Sequence, residues 1–175
     1  YEWDSYPFDT HYPDYFPAKR GFKEVITELR HAHHVHTFPY TNGRIFDIAS
    51  EAYKQDNGAQ YCSKEYATPT FIRDGDESGP EILYESYGSG ATFCVSSPHS
   101  EYWQNKVAIA ASRLLTSSEN GGEGTDGVYI DQIGAAPPKL CWDDSMGHAL
   151  GGGTYWTDGY LETLKKIKPY GEEGE

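Results

Sequence analysis

The stretch Asp126-Gly127-Val128-Tyr129-Ile130-Asp131-Gln132 decides the fold. Val128 to Ile130 reads as a short buried strand that ends on a carboxylate, Asp131. A glycine-rich, aromatic-rich loop follows, from Ile133 to Tyr155. A strand that delivers an acid at its C-terminal end into a long loop is how a (β/α) barrel builds an active site. Taken alone, the pattern supports two readings of Asp131 about equally: a catalytic or substrate-gripping carboxylate, or a cap on the loop backbone.

Working outward, strands and helices alternate. Tyr1-Glu2-Trp3 reads as the tail of a strand with Asp4 at its mouth, and prolines 7, 13 and 17 keep the next loop irregular. Phe22, Val25, Ile26 and Leu29 recur at i, i+3, i+4 and i+7, which predicts a helix from Gly21 to Ala32. His33 to Tyr40 reads as a second strand with Val35 and Phe38 inward. The Asn42-Gly43 turn then sets Asn42 and Arg44 at another strand mouth. Ile45 to Asp56 is expected to start a short helix, and 57–90 to be a Gly-, Ser- and acid-rich insertion with room for a hairpin. Ala91 to Val95 is the third strand, with Ser96 and Ser97 at its mouth. Ser97-Pro98 signals a helix start, running to Leu115 with Trp103, Val107, Ala110, Ala111 and Leu114 on its apolar face. The loop from Ser117 to Thr125 reads as exposed, and Val128 to Asp131 becomes the fourth strand. The last helix spans Tyr155 to Lys168 with Leu161, Leu164 and Ile167 inward, and 171–175 reads as a disordered tail.

This order implies parallel strands with right-handed crossovers. The expected fold is α/β: a partial (β/α)8 TIM barrel of roughly four units, half of the full eight. It forms one domain over 1–170 with the 57–90 insertion. At 175 residues the chain falls short of the roughly 250 of a complete barrel. Half a barrel leaves two sheet edges open, so the remainder of a longer chain, or other chains, are expected to cover them. The first residue is Tyr1 rather than Met, which fits a processed or trimmed chain.

A net charge of -13 argues against nucleic acid and anionic membranes as partners. No apolar run reaches transmembrane length. Aromatic residues make up 15% of the chain, and flat rings with polar tips suit sugar stacking as well as ordinary cores. Cys62, Cys94 and Cys141 show no CxxC spacing, and their odd number leaves one unpaired. A Cys62–Cys141 bond is open if the chain is secreted.

Three constellations resemble metal sites. Asp74, Asp76, Ser78 and Glu85 match the spacing of a calcium loop, but no amphipathic helices flank them; the competing reading is a solvated loop. The loop from Cys141 to His148 holds a Cys, two Asp and a His without zinc-like spacing. It reads as a sugar-shaping loop, with Trp142, His148 and Trp156 facing substrate. His31, His33, His34 and His36 read as a polar strand entrance; His34 and His36 would share a face.

Asp4, Asn42 with Arg44, Ser96 with Ser97, and Asp131 would share one rim of a barrel. The segments 12–17 (Tyr-Pro-Asp-Tyr-Phe-Pro), 39–44 (Pro-Tyr-Thr-Asn-Gly-Arg), 126–137 and the 141–153 loop resemble a group of glycoside-hydrolase-like TIM barrels. That group is similar to α-galactosidase-type retaining glycosidases. The resemblance covers nearly the whole chain and implies a retaining glycoside hydrolase acting on a carbohydrate. Asp131 would be the catalytic nucleophile, with Asp4, Asn42, Arg44, Gln132, Trp142, His148 and Trp156 on the substrate. No cofactor is required, an extracellular or secreted location is expected, and the second carboxyl is expected on a later strand beyond Glu175. The alternative is a non-catalytic structural or carbohydrate-binding protein assembled with other chains.

Overall fold

The computed structural model describes residues 2–66 and 79–172. Trp3 is buried, and Asp4 bridges antiparallel to Ala18 instead of ending a parallel strand. Helix α1 (Phe22–His33) buries Phe22 and Ile26, while Val25 stays exposed. It stops at His34, which adopts a left-handed φ of 55° and returns its N–H to the Leu29 carbonyl. That C-terminal cap is the reason the predicted strand fails to begin at His33. Val35 and Phe38 are exposed rather than inward. Strand β1 is shorter, Tyr40–Asn42.

Asn42 then bends the chain. Its side-chain oxygen accepts from the backbone N–H of Arg44 (2.9 Å) and of Ile45 (3.1 Å), an Asx-type turn. Strand β2 (Ile45–Asp47) follows where a helix was expected, and helix α2 (Glu51–Gln55) starts only after the Ser50 cap. The insertion contributes β3 (Lys64–Glu65), β4 (Glu81–Ile82) and β5 (Tyr84–Ser86). β3 pairs antiparallel with β4, and β5 pairs antiparallel with β6 (Thr92–Val95), which also pairs antiparallel with β2. The predicted third parallel strand is therefore the middle of a separate antiparallel sheet. A disulfide, Cys62–Cys94, ties the insertion to β6; Cys141 is free and buried, so the Cys62–Cys141 pairing does not form.

Strand side chains alternate between faces, and this sheet divides the core accordingly. Ile45 and Phe93 join a cluster with Trp3, Tyr12, Tyr15, Phe22 and Leu114. Phe46 and Cys94 face Trp103, Val107 and Ala111. Both clusters rest on α3 (Glu101–Leu115), whose predicted apolar face is buried throughout. The helix starts three residues later than its Ser-Pro signal because Ser100, not Ser97, caps Trp103. In the following loop Glu123 and Thr125 are buried, not exposed.

Strand β7 (Tyr129–Asp131) pairs parallel with β1, with Asn42 opposite Asp131. Asp126 fixes the approach to this pair: it accepts from Arg30 Nε (2.9 Å), the Thr37 N–H (2.8 Å) and His36 (3.2 Å). His36 thus serves a carboxylate, not a metal. Helix α4 (Tyr155–Glu172) lies along α3. Its buried stripe is Trp156, Tyr160, Thr163 and Ile167; Leu161 and Leu164 are exposed, contrary to expectation. Gly159 explains the orientation, since a Cβ there would stand 2.4 Å from the Pro98 backbone. Among the described residues no helix is long and apolar enough to cross a membrane.

Candidate functional site

The parallel register of β1 and β7 brings Asn42 and Asp131 to one edge. Their approach requires Gly43: a Cβ there would lie 2.4 Å from Ile133 and 2.8 Å from Ile130 side chains. The Gly43 N–H donates to the Asp131 carbonyl at 3.1 Å, and Trp103 Nε1 donates to the Gly43 carbonyl at 2.8 Å. Tyr15 braces Asn42 from behind, accepting from its N–H at 2.6 Å.

Asp131 is held at both oxygens. Oδ2 accepts from the Tyr40 hydroxyl at 3.0 Å. Oδ1 accepts from the Tyr129 hydroxyl at 3.1 Å and from the Gln132 N–H at 2.8 Å. Gln132 takes a left-handed φ of 67° to make that bond. Asn42 Nδ2 donates to the Tyr40 hydroxyl at 3.2 Å, so Asn42 reaches Asp131 through one intermediary. Burial first, and then the neighbouring Asp131 carboxylate, push the Tyr40 hydroxyl up and keep it a donor. Burial, followed by the charges of Asp131 and Asp47, also raises Asp9.

Arg44 is buried and held by its terminal nitrogens. Its terminal nitrogens grip both Glu85 oxygens at 2.7 Å each, and one donates to Gln132 Oε1 at 3.1 Å; Nε is buried without a partner. This fork geometry makes a strong charged pair, and the Arg44 bonds hold Glu85 down at about 2. Arg44, Glu85, Tyr87, Gln132 and Lys139 line a cleft of about 370 Å³ beside Asp131. Glu85 therefore serves Arg44; its supposed calcium partners Asp74, Asp76 and Ser78 lie outside the described residues. Among the described residues no three His, Cys, Asp or Glu gather as a metal site.

Tyr40, whose hydroxyl donates to Asp131, also forms a wall of a second cavity. Glu2, Trp3, Asp4, Phe8 and Tyr12 complete its lining, and it encloses about 320 Å³. Asp4 is 8% exposed, and its Oδ1 is buried with no hydrogen-bond partner. Burial pushes the Asp4 carboxyl up to about 6, with a backbone hydrogen bond from Tyr6 opposing it.

The remaining predicted site residues lie elsewhere. Trp142 packs on Tyr66 and over Gly151, and its N–H bonds to the Lys64 carbonyl. His148 stacks on Tyr155 at 4.2 Å and bonds to the Ala149 carbonyl. Trp156 is 6% exposed inside a cluster with Val95, Cys141, Tyr155 and Tyr160, so its place is the core rather than an open face. Sequence reasoning passed over Tyr40, Tyr129 and Asp9, and read Glu85 as a calcium ligand. The two tyrosines were findable, because each stands two residues before Asn42 or Asp131 on the same strand face. Asp9 carried no local signal, and the spacing around Glu85 pointed to calcium rather than to Arg44.

The whole chain, residues 1–175, matches the model of a domain of unknown function (DUF6259), and it belongs to that family. It is 41% identical over 179 residues to a Monosiga brevicollis protein and 36% identical over 169 residues to one from Bacteroides thetaiotaomicron. Both are named putative glycoside hydrolases, which agrees with the resemblance read from the motifs. Each alignment covers 96% of this chain but only 14% and 22% of those proteins, so the chain spans less than a quarter of their length. An α-N-acetylgalactosaminidase from Bifidobacterium bifidum, solved with GalNAc, superposes with a TM-score of 0.66 at 16% identity, covering 97% of this chain and 24% of that one. That likeness is one of fold: a mixed α/β arrangement.

Proposed function

We propose that this chain is the nucleophile-bearing segment of a retaining α-glycosidase barrel. The observation that carries the reading is the parallel β1–β7 edge, where Asp131 is oriented at both oxygens by Tyr40, Tyr129 and Gln132. The names of the relatives favour this reading over a non-catalytic binding protein. In this account β1 and β7 are neighbouring strands of a larger barrel, and the antiparallel sheet is an insertion between them. The low coverage of both relatives supports a longer protein.

Asp131 attacks the anomeric carbon as the leaving oxygen takes a proton from a second carboxyl, and water later releases the sugar from the enzyme. That second carboxyl must stand about 5–5.5 Å away; it is assigned to a later segment of the protein. Tyr40 and Tyr129 fix the carboxylate plane, so little reorientation is needed on attack. Asn42 holds Tyr40. Gln132 and Arg44 form the wall of the adjacent cleft, with Arg44 anchored by Glu85. No cofactor enters the chemistry, and chelation should leave turnover unchanged. The Cys62–Cys94 bond supports an extracellular or secreted location.

The test is turnover of aryl α-glycosides by the full-length protein and by its Asp131→Asn variant. Turnover by the former alone supports the reading; equal turnover by both removes Asp131 from the nucleophile role.

A further inference from the structure

Gln132 is held in a conformation that its residue type does not favour. Its φ of 67° lies in the left-handed region, where a side chain other than Asn, Asp or His is uncommon. Such a residue persists where the surrounding structure over-determines it, and it concentrates at functional sites. The local backbone supplies little support, since the Gln132 carbonyl accepts from the Ala136 N–H at a long 3.4 Å. What the conformation gains is the bond from the Gln132 N–H to Asp131 Oδ1 at 2.8 Å.

The side chain shows what holds it there. Arg44 donates to Gln132 Oε1 at 3.1 Å, and Gln132 Nε2 donates to the Tyr87 hydroxyl at 3.4 Å. Both partners are themselves fastened to one carboxylate. Arg44 reaches both Glu85 oxygens at 2.7 Å, and the Tyr87 hydroxyl donates to Glu85 Oε2 at 2.7 Å. With its proton committed to Glu85, the Tyr87 oxygen is left to accept, whereas a guanidinium has donors alone. The two partners therefore fix which end of the amide faces which, and a flip of the amide would lose both bonds. Glu85 lies on β5 and Tyr87 just beyond it, so the antiparallel sheet reaches the β1–β7 edge through Gln132.

We infer that Arg44, Glu85 and Tyr87 are positioning residues for the nucleophile. They clamp the Gln132 side chain, the clamp holds its backbone left-handed, and the backbone N–H keeps Asp131 Oδ1 in place for attack. Arg44 and Gln132 then act on Asp131 rather than on the sugar, and the antiparallel insertion takes part in the reaction. The inference deepens the hydrolase reading and rests on it for what Asp131 does.

Three substitutions at Gln132 separate a clamp from a substrate contact, each made in the full-length protein and assayed on aryl α-glycosides. All three release the side chain from Arg44 and Tyr87, but they differ in their tolerance of positive φ, which is poor for Ala, better for Asn and best for Gly. Gln132→Ala is expected to lower kcat at least about tenfold with KM within about twofold, the pattern of a misplaced reacting group. Gln132→Asn and Gln132→Gly recover much of that loss. Tyr87→Phe, at a partly exposed position that should leave folding intact, removes one grip and lowers kcat several-fold. Hydrogen exchange at the Gln132 amide, followed by mass spectrometry, reads the clamp without turnover. It speeds up at least about tenfold in Gln132→Ala and in Tyr87→Phe, and returns toward wild type in Gln132→Asn. Equal losses in all three variants at position 132, in kcat or in KM, overturn the clamp, as does exchange unaltered in Gln132→Ala and Tyr87→Phe. Should Gln132→Ala not fold, exchange in Tyr87→Phe decides. Faster exchange in these variants without turnover by the wild type keeps the clamp and removes the hydrolase. Turnover that needs Asp131 but is indifferent to Gln132→Ala and Tyr87→Phe does the reverse.

Discussion

On the Gln132 side of Asp131, the Arg44 guanidinium is fastened to both oxygens of Glu85 and to Gln132. On the Tyr40 side, Asp4 is nearly as buried, yet one of its oxygens has no donor. Both regions place charge in a low-dielectric setting, where an unpaired group is costly. The first answers most of that cost within the protein, leaving only the Arg44 Nε without a partner, and so stiffens the frame. The second leaves one oxygen open, which lowers stability. The contrast separates a buried charge that the fold pairs from one that it leaves partly unpaired.

The largest effect should come from the residue the two regions share. Asp131→Asn is expected to reduce kcat at least about 10³-fold, the scale seen when a covalent nucleophile is removed. Steady-state kinetics with unchanged near-UV circular dichroism is the check.

Asp4→Asn comes next, and its effect on stability depends on pH. The Asp4 carboxyl is raised from 3.8 to about 6 in the fold. A raised carboxyl contributes stability that is complete below the unfolded value and is lost as pH rises through the folded one. The wild type should therefore lose up to about 3 kcal/mol between about pH 4 and pH 7. The neutral variant escapes this, so urea unfolding should find it more stable than wild type at pH 7.5 and no more stable at pH 4. Equal stability at both pH values would break the contrast between the two regions.

Glu85→Gln should cost about 2–3 kcal/mol, somewhat less than a fully buried pair, because it strands Arg44. Here the pH sense reverses. Glu85 is held at about 2, below its usual 4.5, so its contribution is full above about pH 4.5 and is lost as pH falls toward 2. Acid unfolding curves of wild type and variant should converge at the low end. Gly43→Ala, the smallest of the series, should cost about 1–2 kcal/mol, since the Ile133 and Ile130 side-chain ends can partly yield. A thermal melt measures it.

What the sequence disclosed follows from how local each signal is. The α1 and α3 periodicities and the Asn-Gly turn are written in neighbouring residues, and they placed Asn42 and Asp131 on one edge. Strand direction is not local. Nothing within Thr92 to Val95 says that β6 runs antiparallel to β2; its partner strand lies some fifty residues upstream. On α4 the leucines outrank the aromatics in hydropathy, but Gly159 against Pro98 turns Trp156 and Tyr160 inward. Glu85 fits a calcium spacing in the sequence, and only the fold brings it to Arg44. The orphaned oxygen of Asp4 is a property of burial, which no spacing encodes.

The central claim, that Asp131 is the nucleophile, is tested most directly by covalent trapping. Full-length protein incubated with an activated 2-deoxy-2-fluoro glycoside and then digested should yield one peptide carrying the fluorosugar as an ester on Asp131. A label on any other carboxylate, with Asp131 unmodified in the inactivated enzyme, would contradict the account.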